Sequence, residues 1–172
     1  MVDRLSSAAE QAFDELLGSL DYPMFVVTTA AADDGERSGC LVGFTTQCSI
    51  HPIRFLVCLS VVNHTARVAL RAECLAVHLV PNDRLALSEL FGEKSGDTVD
   101  KFATVSWTPG PRGVPLLDDC PVRLIGRIVE RIPLGDHTGY VLAPESAEGR
   151  ADDPRAHLRF QDVRGMDPGH PA

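Results

Sequence analysis

The sequence predicts a mainly β domain: an antiparallel β-barrel with peripheral helices. Short apolar runs of β-rich composition recur along the chain, separated by turn signals. Hairpin connections dominate and long crossovers are rare. No GxGxxG follows a strand, which argues against a doubly wound dinucleotide-binding sheet. The chain has 172 residues, which fits one domain. A chain of that size buries about 70% of its unfolded surface and needs no staples.

Residues 3–20 read as an amphipathic helix, with Leu5, Ala9, Phe13, Leu16 and Leu20 at spacings of three and four. Ser7 with Glu10 forms a capping-box pattern, or Asp3 starts the helix earlier; Tyr22-Pro23 ends it. MFVVTT (24–29) is β-rich, AAADDGERSG is a hairpin turn, and CLVGFTT is the return strand. IRFLVCLS (53–60) is apolar on both alternating faces, which predicts a central, fully buried strand. HTARVALRAE (64–73) has helical composition, and CLAVHLV (74–80) is a buried strand. NDRLALSELFG (82–92) predicts a second short helix, capped by Asn82 or Asp83 and stopped by Gly92. DTVDKFATVSW turns from helix-like to strand-like near Ala103. PVRLIGRIVERI (121–132) and HTGYVLA (137–143) form a long antiparallel pair joined by PLGD. Residues 144–156 are polar and turn-rich, and LRFQDV (158–163) reads as a last strand. The organisation is therefore a helix over 1–20, a core domain over 21–143 and a partly mobile extension over 144–172.

Net charge is −8, and the positive residues are mostly arginines, scattered rather than in a stripe, so nucleic-acid binding has no electrostatic footprint. No apolar run approaches membrane-spanning length, and no basic segment leads into an apolar one at the N-terminus. A cytoplasmic location is expected. The five cysteines Cys40, Cys48, Cys58, Cys74 and Cys120 form no CxxC pair and read as buried reduced thiols. No metal site is expected, because ligand spacing is lacking.

Four stretches carry candidate chemistry. GFTTQCSIHP (43–52) lays Thr45, Thr46, Gln47, Cys48 and Ser49 in a row between apolar runs. Such a row satisfies its own backbone in turns, or it cradles the edge of a flat heterocycle that presents donors and acceptors. SVVNHTARVAL (60–70) ends a strand and opens a helix at Asn63-His64-Thr65, which is either simple N-capping or a phosphate site. In GDHTGYVL, His137 opens a strand after a tight turn. In the segment 97–119, Asp100 and Lys101 are a candidate solvated pair, with Phe102 and Trp107 in the core.

The order of these elements is more specific than any one of them. G-x-T-x-x-x-S before a proline, a strand ending in N-x-T, D-K-F-A with a following Trp, P-L-L-D and then G-D-H resemble the flavin reductase-like family of FMN-binding split barrels. The resemblance spans roughly residues 21–143. It implies a homodimer with one flavin near each subunit interface. It also implies that Thr45, Thr46, Gln47, Cys48 and Ser49 line the isoalloxazine and ribityl chain, and that Ser60, Asn63, His64 and Thr65 sit at the phosphate. Lys101 and Phe102 match the element that closes over the flavin, and His137 matches the histidine near the nicotinamide. Two departures stand out: His51-Pro52-Ile53 replaces the usual Asp-Pro-Pro, and His64 stands where serine is frequent. The expected activity is hydride transfer from NAD(P)H to FMN or FAD, with reduced flavin passing to a partner monooxygenase. The alternatives are a flavin sensor or carrier with little turnover, and a split barrel using a deazaflavin or haem.

Overall fold

The structure, a computed structural model, describes residues 7–169. In chain order it runs α1 (Ser7–Ser19), β1 (Phe25–Ala31), β2 (Arg37–Val42), β3 (Thr45–Ile50), β4 (Ile53–Ser60), α2 (His64–Ala69), β5 (Ala72–Leu79) and α3 (Leu85–Glu93). There follow a 3₁₀ turn at Lys101–Ala103, β6 (Trp107–Pro109), β7 (Pro115–Leu117), β8 (Arg123–Pro133), β9 (His137–Glu148) and α4 (Phe160–Val163). Seven strands form one sheet in the order β2-β1-β5-β8-β9-β4-β3, with every pairing antiparallel. β6 and β7 form a separate hairpin.

The sheet order contains the barrel. β2 and β3 are its two edges, yet only Gly43 and Phe44 separate them in the chain. Two residues cannot span an open seven-stranded sheet, so the sheet must curl until its edges meet. The result is the expected split barrel, with the split between β2 and β3. The backbone bond from Cys58 N to the Phe44 carbonyl (2.9 Å) holds that corner. Gly43 is needed there, because a Cβ would lie 2.4 Å from the Tyr22 ring.

Three apolar clusters fill the described part of the molecule. The barrel interior holds Val27, Val57, Leu59, Leu75, Val77, Tyr140 and Leu142. A second cluster under α3 and α4 joins Met24, Val26, Phe91, Phe102, Leu117 and Leu158. A smaller third joins Cys74, Ala76, Val114, Leu116 and Ile125. On the sheet face away from the barrel interior, His78 is fully buried, its Nδ1 3.0 Å from the Val26 carbonyl and its Nε2 accepting from Leu117 N–H at 3.1 Å.

Several elements depart from the sequence reading. The start of the first helix, with Leu5, lies outside the described residues, and over Ser7–Ser19 the helix buries no side chain. The return strand after the first hairpin breaks at Gly43-Phe44 into β2 and β3. β4 is not fully buried: it sits one strand from the edge, only Val57 and Leu59 are enclosed, and Ile53 is exposed. α3 begins at Leu85, because Asn82 is instead bonded to the Arg155 and Ala156 carbonyls. Gly92 lies inside α3 against Leu41, not at its stop. β9 continues to Glu148, five residues beyond the expected end of the core domain. Residues 158–163 do not make a strand: Arg159 N–H donates to the Asp162 carboxylate (2.8 Å), and this reciprocal cap starts α4.

Candidate active site

The face of β3, β4 and β9 that points away from the barrel interior is one candidate surface. Opposed residues in an antiparallel pair share a face. Thr46 pairs with Leu56 and Leu56 with Val141; Cys58 pairs with Gly139, and Ser60 with His137. Thr46, Leu56, Cys58, Ser60 and His137 therefore stand together, opposite the buried Val57 and Leu59. Gly139 lets Leu134 and Leu56 close over the middle of this face, since a Cβ there would press on their side chains at 3.0 and 3.1 Å. Phe44 is exposed and lies against His137, with ring centroids 5.3 Å apart. Val61 N–H bonds the Asp136 carbonyl, tying the end of β4 to the β8–β9 turn.

The polar side chains of β3 are loosely committed. Thr46 Oγ1 donates only to the Gln47 carbonyl at 3.2 Å, and Gln47 Nε2 only to the Ser49 carbonyl at 3.2 Å. A register shift between Gln47 and Ser49 leaves Cys48 unpaired on the bulge and exposed. Bulges re-aim side chains and recur beside active sites. His137 Nδ1 lies 2.8 Å from the Asp136 carboxylate, and its Nε2 bonds none of the described residues. That bond holds the Asp136 carboxyl below its usual range.

A second surface is an open cleft of about 310 Å³ between the start of β2, the start of α2 and the loop 96–102. His64 is one of its walls. Its Nδ1 lies 2.9 Å from Ser38 Oγ, and its Nε2 3.0 Å from the Glu36 carboxylate. A carboxylate only accepts, so Nε2 carries a proton and a neutral His64 accepts from Ser38. Glu36 is also bonded by Arg71, which spans the β1–β2 turn to Asp33 and Asp34. Gly96 closes over the imidazole, where a Cβ would lie 2.5 Å from Nδ1.

The expected site residues thus divide. Thr46, Ser60 and His137 belong to the outward strand face, which Ser49, opposite Arg54 beyond the bulge, shares, whereas Thr45 and Gln47, opposite Val57 and Phe55, lie on the other face; His64, Lys101 and Phe102 line the cleft, which none of the β3 row enters. Asn63 caps α2, its Oδ1 accepting from Thr65 N–H at 2.9 Å. Thr65 is buried, with its hydroxyl 2.9 Å from Ser38 Oγ, so it offers no hydroxyl to solvent. Lys101 is not a solvated partner of Asp100. Its ammonium is buried and bonds the carbonyls of Gly39 (2.9 Å) and Phe91 (3.2 Å), and burial lowers its pKa. Asp100 accepts from Phe102 N–H instead. Phe102 is packed edge-on against Phe91 and Trp107 in the second cluster. Of the five free cysteines, Cys40, Cys74 and Cys120 are buried, whereas Cys48 is exposed and Cys58 half-buried. The sequence reading missed Phe44, Glu36, Arg37, Ser38 and Gly96. Only Phe44 carried a signal, an aromatic directly before the polar row.

Comparison with known proteins places this geometry in context. The family described as flavin reductase like domain matches residues 17–167. The FMN reductase (NADH) of Bradyrhizobium diazoefficiens is 29% identical over 138 residues, covering 78% of this chain and 73% of that protein. The NADPH-flavin oxidoreductase of Streptomyces viridifaciens is 27% identical over 157 residues, covering 90% of this chain and 80% of that one. Among solved structures, the NADH:FAD oxidoreductase of Streptomyces globisporus in complex with NAD and FAD fragments is similar with TM-score 0.75 at 21% identity, covering 92% of both chains. That likeness concerns the fold. With the match running through nearly the whole barrel and both of its flanks, the chain belongs to the flavin reductase-like family.

Proposed function

We propose that the protein is an NAD(P)H-dependent flavin reductase, transferring hydride from a nicotinamide to FMN or FAD. The observation that carries this reading is the strand face, where Thr46 and Ser60 flank the apolar Leu56 and Cys58 beside His137, whose Nε2 bonds none of the described residues. A flavin bound there supplies the two-electron chemistry itself. The chain's residues bind and orient. Thr46 and Ser60 would hydrogen-bond the heterocycle edge and ribityl hydroxyls, Thr46 giving up its weak bond to the Gln47 carbonyl. Leu56 and Cys58 would give the ring an apolar bed, with Phe44 beside it. Asp136 fixes the His137 ring and turns Nε2 outward.

Relatives named for NADH and for NADPH support either nucleotide as reductant. A relative that is the reductase component of 4-hydroxyphenylacetate 3-monooxygenase in Salmonella typhimurium supports delivery of reduced flavin to a monooxygenase. A homodimer is part of the reading. Phe13, Leu16 and Leu17 on α1, with Leu20 after it, and Ile50, Ile53, Val129 and Leu134 on or beside the strands, are exposed apolar side chains that a second subunit would cover. A cytoplasmic setting is also part of it; no helix among the described residues is long and apolar enough to cross a membrane.

The test is a titration with FMN, FAD and riboflavin, followed by NAD(P)H oxidation with and without added free flavin. Binding with oxidation that scales with free flavin is the expected result. Failure to bind any flavin overturns the reading. Tight binding without oxidation of either nucleotide makes the protein a flavin carrier instead.

A further inference from the structure

Arg37 is a cation without a counter-ion in a chain of net charge −8. Among the described residues, its guanidinium makes no ion pair and no side-chain hydrogen bond. It lies over the Trp107 ring, with Cζ 4.8 Å from the centroid. Trp107 is itself held in place: its Nε1–H donates to the Phe102 carbonyl (3.2 Å), and its ring packs edge-on to Phe102 at 5.9 Å. The guanidinium therefore lies on a fixed aromatic platform, with its N–H fork free.

That fork borders open space on both sides. Arg37 lines the cleft of about 310 Å³ beside His64 and an adjoining open cleft of about 540 Å³ bounded by Asp34, Gly35, Glu36 and Asp100. The carboxylates there belong to other partners. Asp34 pairs with Arg71 at 2.9 Å, Glu36 with Arg71 and His64, Asp97 with Arg67, and Asp100 accepts from Phe102 N–H. Each acidic group that would neutralise Arg37 is thus already engaged. A planar, pre-oriented and unpaired guanidinium in a cleft matches the geometry of a bidentate oxyanion. Stacking on the indole removes part of the rotamer freedom that an extended arginine would lose on binding.

We propose that Arg37, held on Trp107, is a specificity-determining residue that binds a phosphomonoester of the reaction's nucleotide ligands. The assignment rests on the flavin reductase reading, which supplies two such groups: the 5′-phosphate of FMN and the 2′-phosphate of NADPH. Riboflavin and NADH lack them. The site therefore discriminates within one of these pairs, and the pair it discriminates identifies the phosphate.

The experiment measures, for wild type, Arg37→Gln and Arg37→Lys, the Kd of FMN and riboflavin and the KM of NADPH and NADH. Melting temperature is recorded alongside. One charge-assisted contact is worth about ten- to hundredfold in affinity. Arg37→Gln is expected to weaken one phosphomonoester ligand by that factor and leave its phosphate-free counterpart within about twofold. Loss confined to FMN over riboflavin assigns the flavin phosphate; loss confined to NADPH over NADH assigns the 2′-phosphate. Arg37→Lys is expected to recover part of the loss, because it restores the charge without the fork. If neither ratio changes, or all four ligands weaken together as the protein loses stability, Arg37 only caps Trp107 and the proposal is wrong. If the wild type binds no flavin at all, the reductase reading fails and this assignment falls with it; normal flavin binding with an indifferent Arg37 defeats this assignment alone.

Discussion

Acid should destabilise this protein well before its carboxylates protonate, and His78 is the reason. The ring is fully buried on the sheet face away from the barrel interior, with one nitrogen donating to the Val26 carbonyl and the other accepting from Leu117 N–H. A second proton would leave that backbone N–H facing another donor. Burial, with a smaller push from the Arg123 charge, lowers the His78 pKa from 6.5 to about 4. In the unfolded chain the ring protonates near 6.5, so between pH 6.5 and about 4 the unfolded state holds the extra proton. Stability is then complete above pH 6.5 and falls as the pH drops toward 4. The gap of about 2.5 units, at 1.36 kcal/mol per unit, is about 3 kcal/mol. That is a large fraction of the roughly 5–15 kcal/mol that holds an ordinary domain together. The assay is urea denaturation from pH 7.5 to 4 of wild type and His78→Gln, comparing midpoints at constant slope. Glutamine cannot take up the proton, so the variant should lose the slope in this window whatever its own stability. The carboxylates of Asp21, Asp34, Asp97 and Asp136 also lie below their usual range, but they act at lower pH and in both proteins alike. Equal pH slopes for the two proteins between 6.5 and 4 would refute the argument.

Three further outcomes follow from the site. Gly96→Ala drives a methyl group into the His64 ring and is expected to cost about 1–3 kcal/mol while shifting the His64 imidazole resonances; an unmoved ring in NMR would contradict the close approach. Lys101→Met leaves the Gly39 and Phe91 carbonyls without their buried donor and should cost about 1–3 kcal/mol of stability, whereas lost flavin affinity at full stability would make Lys101 a ligand. His137→Ala should lower kcat/KM for NAD(P)H at least tenfold with flavin affinity and melting temperature nearly unchanged; normal turnover would reduce His137 to a turn residue.

Composition and order made the barrel legible, because alternation and turn residues act locally. Hairpins such as 24–42 and 121–143 need only neighbouring residues to specify them. The corner at Gly43-Phe44 was hidden, since the reason for glycine there is Tyr22, twenty-one residues earlier. LRFQDV reads as a strand by composition, but a cap between Arg159 and Asp162 and the stacking of Phe160 on Tyr22 override that preference. β4 read as buried because its outward face is apolar too, and composition does not distinguish a core from a surface awaiting a partner. Within the site, the row 45–49 was visible as consecutive small polar residues. Lys101 was misread because a lysine's sequence context does not reveal that two carbonyls enclose its ammonium. Arg37 and Trp107 meet only after seventy residues of chain have folded between them, so no local pattern announced them.

His137 shows what the hydrogen-bond arrangement adds to the sequence pattern. From the sequence, a neutral imidazole at the barrel mouth reads as a hydrogen-bond donor to the nicotinamide carboxamide or its ribose. The Asp136 carboxylate changes that. It accepts only, so Nδ1 carries the proton, and the outward Nε2 of a neutral ring has a lone pair and no hydrogen. The ring therefore accepts, and its natural partners are the carboxamide NH₂ and a ribose hydroxyl, both of which donate. Hydride transfer between two rings needs alignment more than it needs an acid or base, and an acceptor on the carboxamide nitrogen fixes how one ring lies over the other. Ser60 lies opposite His137 across the β4–β9 pair. On the proposed function, the Asp136–His137 pair would act as a positioning device. Removing the carboxylate with Asp136→Asn would leave the ring in place but free its tautomer, and the loss should appear in nicotinamide KM before it appears in flavin binding.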